Sequence, residues 1–406
     1  MRHGIWLCAV VLLLSGCEEQ KEEAAAGPFA SDLKFLRKYT DVVLLTDKSG
    51  QAQVAVIPKM QGRVMTSTAA GPEGQSFGWI NRELIASKQL RPHMNAFGGE
   101  ERFWMGPEGG QFSIFFAKGA AFDLEHWQTP PPIDTEAYEV VKKSAESVEF
   151  RHAFKLTNYS GTSFDVEVLR EVRLLPPEEV WKKLGVAAVP GAKLVAYETI
   201  NRLKNAGKEP WTKETGLLSI WILCMFNPSP GTTIVVPIKG GPETELGPAV
   251  NADYFGKVPP ERLVVKGNTV FFSGDGKYRS KIGVSPRRCK PLLGSYDATS
   301  KVLTLAQFTF EGRTDYVNSM WKIQEQPFAG DAANSYNDGP PAPGAKPLGP
   351  FYELESSSPA AALKPGETIE HVHRTIHVLG TEAELDGLAK AALGVGLQEI
   401  VTALPR

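Results

Sequence analysis

An excess of charge of either sign is missing from this chain. Its 406 residues carry 44 Lys and Arg against 46 Asp and Glu, a formal charge of −2 at pH 7. No basic block stands out locally either, so nothing draws the protein to nucleic acid. Cysteine is scarce, with four residues and no CxxC spacing, which removes the common zinc and redox motifs. No metal or other cofactor is called for. Cys224 lies in the apolar run 217–226 and Cys289 in the loop Arg287-Arg288-Cys289-Lys290. They pair only if the fold brings them close. No period of 20–50 residues repeats, which argues against a propeller or solenoid. Past the first residues, no apolar run approaches the roughly 18 residues that a spanning helix needs.

Helical signals are also few. Residues 178–184 follow two prolines, and 381–404 space Leu385, Leu388, Ala392, Leu393 and Leu397 at roughly helical intervals. Gly394 and Gly396 interrupt the second segment, which predicts two short helices.

The N-terminus reads as an address. Met1-Arg2-His3 is a short basic start, and 5–14 is an apolar run too short to span comfortably. Leu14-Ser15-Gly16-Cys17 resembles the bacterial lipobox. That resemblance implies that 1–16 is a lipoprotein signal peptide and that Cys17 carries the lipid. It places the protein in the bacterial cell envelope, held to the membrane through that lipid. Residues 17–30, polar and simple in composition, read as a flexible tether.

What is abundant is turn chemistry, with 39 Gly and 30 Pro. Short β-type runs alternate with turns at 41–46, 53–58, 110–117, 147–156, 163–175, 194–203, 216–226, 233–238, 269–273, 301–310 and 370–379. In the fifth of these, Phe164, Val166 and Val168 alternate with Asp165 and Glu167, the pattern of a half-buried strand. Residues 334–350 read as a long loop. The strand count predicts an all-β fold, a large antiparallel sandwich with few short helices, over 31–380, followed by the helical tail 381–406.

Four pieces, in order, resemble the galactose-mutarotase-like superfamily of β-supersandwiches. They are Gly62-Arg63-Val64-Met65; Gly98-Gly99-Glu100-Glu101-Arg102-Phe103-Trp104-Met105-Gly106-Pro107-Glu108; 199–207, with its Asn-Ala-Gly end; and Tyr352-Glu353-Leu354-Glu355 followed by Leu363-Lys364-Pro365-Gly366-Glu367. The resemblance implies a carbohydrate partner, a carboxylate base on the late strand and a histidine acid. Glu353 and Glu355, at i and i+2, share a strand face. Either could be the base, and His93 is the partner acid. The Gly-rich stretch 93–111 is the most site-like. Glu101 and Arg102 could bond sugar hydroxyls, and Trp104 could stack on a pyranose face. Arg63 and Glu108 complete the binding set that the resemblance implies. Tyr336-Asn337-Asp338-Gly339 could cap a cleft. His371, His373 and His377 share one face of a strand whose polar side is expected to meet solvent. Three function classes stay open: a carbohydrate-binding lipoprotein with epimerase-like chemistry, a non-catalytic scaffold, and a polysaccharide lyase or hydrolase.

Overall fold

Alternation along one strand sets the architecture. In Ser163–Leu174 every second side chain is buried: Phe164, Val166, Val168, Val172 and Leu174, with Arg170 the one charged member of that face. The computed structural model describes residues 28–405, so the signal peptide expected at 1–16 and Cys17 lie outside the described residues. Ser163–Leu174 pairs antiparallel with Ser147–Thr157 and Lys193–Asn205. These belong to a ten-stranded antiparallel sheet. From one edge it runs Leu263–Lys266, Thr269–Ser273, Thr232–Pro237, Leu292–Asp297, Val302–Phe308, Thr368–Leu379, Lys193–Asn205, Ser163–Leu174, Ser147–Thr157, Glu139–Lys143.

A second, five-stranded sheet runs Ser280–Val284, Ala333–Asn337, Tyr352–Ser357, Ser219–Phe226, Arg102–Gly106. One of its faces lies against the larger sheet and the main core fills the space between. A small third sheet, Val43–Thr46, Gln53–Ile57 and Arg63–Thr68, adjoins through the bridge between Val64 and Glu101. This is the large antiparallel sandwich that the strand count predicts.

The histidine strand departs from expectation. His371, His373 and His377 do not meet solvent; each is at most 1% exposed, between the two large sheets. Ser356 Oγ of the smaller sheet lies 2.8 Å from both His371 Nε2 and His373 Nδ1. His377 Nε2 lies 2.9 Å from Glu100 Oε1. The opposite face of the same strand is covered too, since Ile376 and Val378 pack with Leu385 and Leu388 of the C-terminal segment. A strand buried on both sides leaves its polar residues no water. Burial holds the His371 and His373 rings neutral, pushing His371 down to about 3 and His373 well below the ordinary histidine value.

Helices Glu382–Leu393 and Leu397–Val401 break where the glycines stand, with Gly394 left-handed as the C-cap. Thr381 and Glu384 form a capping box at the start of the first. Helix Pro177–Leu184 also follows expectation. Two segments do not. Residues 110–117 form turns, because Phe115 and Phe116 turn inward to an aromatic cluster and Gly110 takes φ +82. Ala333–Asn337 is a strand where a loop is expected, held by full pairing on both sides. A helix at Phe29–Tyr39 also forms, burying Phe29, Leu33 and Leu36. Cys224 and Cys289 are both buried free thiols. Among the described residues no helix is long and apolar enough to cross a membrane.

Candidate functional site

Register in the five-stranded sheet assembles the site. Arg102 pairs with Leu223, Leu223 with Glu355; Trp104 pairs with Trp221; Met225 pairs with Glu353, Glu353 with Tyr336, Tyr336 with Lys281. Directly opposed residues and i, i+2 neighbours share a face. All of these side chains therefore project to the side away from the ten-stranded sheet. The intervening residues, Cys224, Ser356 and Tyr352, reach the other way, to His373, His371 and Ser295. The outward face floors a cleft enclosing about 180 Å³, walled by loops that carry Glu108, Trp127, Trp321, Asp338 and Phe351.

Backbone geometry delivers Arg102 and Trp104 to this face. Gly98 and Gly99 precede their strand at φ +90 and +115, conformations that favour glycine. A Cβ on Gly98 would sit 2.1 Å from the Trp79 carbonyl oxygen, and one on Gly99 would sit 2.6 Å from Arg63 Cδ. The chain thus enters the sheet through a gap that only glycine fits.

Two buried ion pairs lie side by side on the floor. Arg102 Nη2 donates to Glu353 Oε1 at 2.9 Å. Lys281 Nζ donates to Glu355 Oε2 at 3.0 Å, and the Trp221 indole N–H donates to the same oxygen at 2.8 Å. The Arg102 guanidinium lies 4.2 Å from the Trp104 ring centre, and the Lys281 ammonium 4.6 Å from that of Trp221. Trp104 also packs against Phe115 at 5.4 Å and Trp221 at 5.6 Å, so it is both a wall of the cleft and part of the packing.

Burial pushes the Glu353 carboxyl up to about 7, with Arg102 opposing and the nearby Glu355 adding to the rise. Desolvation also raises Glu108, against Lys281. Asp338 is raised by burial, while the Gly349 N–H at 2.9 Å and the Tyr336 hydroxyl at 2.7 Å hold its charged form. The cleft therefore holds one carboxyl group, that of Glu353, able to exchange a proton near neutrality.

Of the residues singled out in the sequence, Arg102, Trp104, Glu108 and Glu353 line this cleft. Glu355 shares their sheet face but is fully buried beneath it, bonded to Lys281 and Trp221. Three others do not come to the cleft. Arg63 is spent on structure, donating to the Gly98 carbonyl at 2.7 Å and to Gln61 at 3.2 Å, and burial lowers it to about 9. Glu101 points to the opposite side of its strand from Arg102 and takes a hydrogen bond from Arg170 at 2.9 Å, both side chains fully buried. His93 is turned to the Trp127 backbone carbonyl, 2.8 Å from its Nδ1. No histidine lines the cleft among the described residues.

Lys281, Arg279, Trp221 and Trp321 complete the cleft and were not singled out in the sequence. Pairing across the sheet brings Lys281 and Trp221 there, and loops carry Arg279 and Trp321. Away from the cleft, Glu101, Cys224 and His373 gather ligand atoms within 4.8 Å of one another, all buried between the sheets.

Fold and site together define an antiparallel β-sandwich with a cleft over its five-stranded sheet. The chain belongs to the family of unknown function DUF6786, whose sequence model matches residues 27–404. No curated protein matches it in sequence. Among solved structures it is similar to the Slr1438 protein from Synechocystis, at 12% identity and TM-score 0.48, over 84% of this chain and 96% of that one. A galactose mutarotase-like protein from Lactobacillus casei matches at 8% identity and TM-score 0.45, over 83% of this chain and 100% of the other. A galactose mutarotase related enzyme from Lactobacillus acidophilus matches at 10% and 0.45, over 84% and 98%. At such identities, what those proteins act on is not carried over.

Proposed function

We propose that the protein binds a carbohydrate in the cleft over its five-stranded sheet. One observation carries the reading: indole surfaces and a charged donor–acceptor pair stand on the same floor, Trp104 and Trp221 beside Arg102 and Glu353. A neutral polyol presents apolar C–H faces and hydroxyl edges, and this pairing of surfaces matches both. Titration of D-glucose and D-galactose, followed by chemical shifts of the protein, tests it. Trp104→Ala should weaken binding by about 1–3 kcal/mol. No saturable shift at millimolar sugar would leave the sandwich as a non-catalytic scaffold.

A second reading, sugar ring opening, rests on the raised carboxyl of Glu353. Its carboxylate takes the anomeric hydroxyl proton while a second acid gives one to the ring oxygen; the bond from the anomeric carbon to the ring oxygen breaks and a carbonyl forms. With no histidine in the lining, Asp338 or Glu108 is the second acid. Polarimetry of freshly dissolved sugar tests this, and Glu353→Gln should slow the reaction by about 10²–10⁴-fold while binding persists. Attachment to the envelope through a lipid on Cys17 is part of the same proposal, supported by the lipobox-like sequence.

A further inference from the structure

The polarity of the cleft changes with depth. Its floor is charged, with Glu353 and Lys281 in the lining. Its mouth is mostly apolar and wet: Leu124 is 59% exposed, Leu348 49% and Phe255 42%, and all three line the cleft, with Lys346 beside them. Only seven large apolar side chains are 42% or more exposed among the described residues. Three of them ringing one opening is a concentration that scattered surface leucines do not give.

A bare sugar does not account for that mouth. Pyranose faces pair with flat rings; the indoles sit within the cleft, at Trp104, Trp221 and Trp321, and the ring at the mouth, Phe255, is engaged by the Arg279 guanidinium 3.9 Å from its centre. Branched leucines offer no platform to a sugar and gain nothing from its hydroxyls. A polysaccharide threading the cleft would continue past the mouth as more hydroxyls, which Leu124, Leu348 and Phe255 cannot bond, with Lys346 the exposed donor in the lining. What leucines do bury well is hydrocarbon, without regard to direction.

We propose that the ligand is an amphiphilic glycoside, its sugar at the Glu353 end and its hydrocarbon aglycone against Leu124, Leu348 and Phe255. The inference rests on the carbohydrate reading of the floor and adds the class of the group attached to the sugar. An apolar tail accounts for the exposed mouth, and a polar head accounts for the buried charges, in one molecule.

The test compares methyl and n-hexyl β-D-glucopyranosides and β-D-galactopyranosides, titrated below their micelle concentrations into the full chain by calorimetry, with 1-hexanol as the tail alone. Each methylene buried is worth roughly fourfold in affinity. The hexyl glycoside of the preferred sugar should bind at least about tenfold tighter than its methyl partner, even with part of the chain buried. Leu124→Asp combined with Leu348→Asp, both exposed positions that the fold does not need, should bring hexyl affinity down to the methyl level. Equal affinity of methyl and hexyl glycosides overturns the amphiphile inference and leaves the carbohydrate reading standing. Hexanol binding as tightly as the hexyl glycoside, or no binding by any glycoside, overturns both. A loss of self-association in the double variant, with no dependence on chain length, would assign the mouth to a second copy of the chain instead.

Discussion

Arg102 and Glu353 stand 251 positions apart in the sequence and meet at 2.9 Å, each side chain 5% exposed. A pair this buried has lost most of its hydration, and its attraction must offset that loss. The pair is therefore asymmetric in its response to damage: losing one partner is far worse than losing both.

Arg102→Met removes the charge that holds the Glu353 carboxyl down, so the carboxyl should move further above 7 and the fold should lose up to about 3–5 kcal/mol at pH 8, where the wild-type pair is ionised. At pH 5 the carboxyl can take up a proton, so the loss should shrink. Urea unfolding at the two pH values measures the difference. An equal loss at both would mean that packing, and not the stranded charge, is what the arginine supplies.

Glu353 itself should show in the pH dependence of stability. Its folded value, about 7, lies above the ordinary 4.5. The folded state thus holds its proton more tightly than the unfolded chain. Its contribution is fully present below 4.5 and is lost as pH rises through about 7. Glu353→Gln cannot titrate. Wild-type stability relative to this variant should fall between those two values and then level off; a flat difference from pH 4 to 8 would contradict the buried-acid account.

The two thiols between and beside the sheets should be inert while the protein is folded. Desolvation raises Cys224 well above the ordinary thiol range and pushes Cys289 up to about 12, so neither forms thiolate at neutral pH. Iodoacetamide followed by peptide mapping should modify these positions only after denaturant is added. Rapid labelling of either in native buffer would show that its site opens.

Anchoring is testable without reference to the fold. Cells producing the full chain should incorporate a labelled fatty acid into it, and Cys17→Ala should abolish the label and leave the precursor uncleaved at that site. Unchanged labelling would remove the lipid from the proposal.

The sequence exposes what depends on nearest neighbours and hides what depends on pairing. Alternation marks Ser163–Leu174 as a strand, and Gly394 marks a helix break, because each is a local event. Glu353 and Glu355 share a face by simple spacing, but which one meets the cleft depends on Lys281 and Trp221, which engage the other from neighbouring strands. Lys281 carries no signal at all, because the four-strand path through Tyr336, Glu353 and Met225 that brings it to the cleft has no trace along the chain. The histidine strand misleads for a related reason. Alternating polar residues usually mean solvent, but here a second sheet replaces water with Ser356 and Glu100. Arg63 and Glu101 sit in polar, motif-like surroundings and are spent inside the sandwich, on Gly98 and Arg170.

The Ser356 hydroxyl, shared between His371 and His373, has a consequence for hydrogen positions. One hydroxyl carries one proton, so it can donate to only one of the two neutral rings, and the other ring must donate to it. If His371 accepts at Nε2, its Nδ1 proton faces Thr309, 3.3 Å away, while His373 gives its Nδ1 proton to Ser356 and turns a bare Nε2 to the Cys224 thiol at 3.5 Å. Reversing one tautomer forces the hydroxyl, and with it the other ring, to reverse. The line from Thr309 to Cys224 thus has a polarity, and the protons along it can rearrange only in concert.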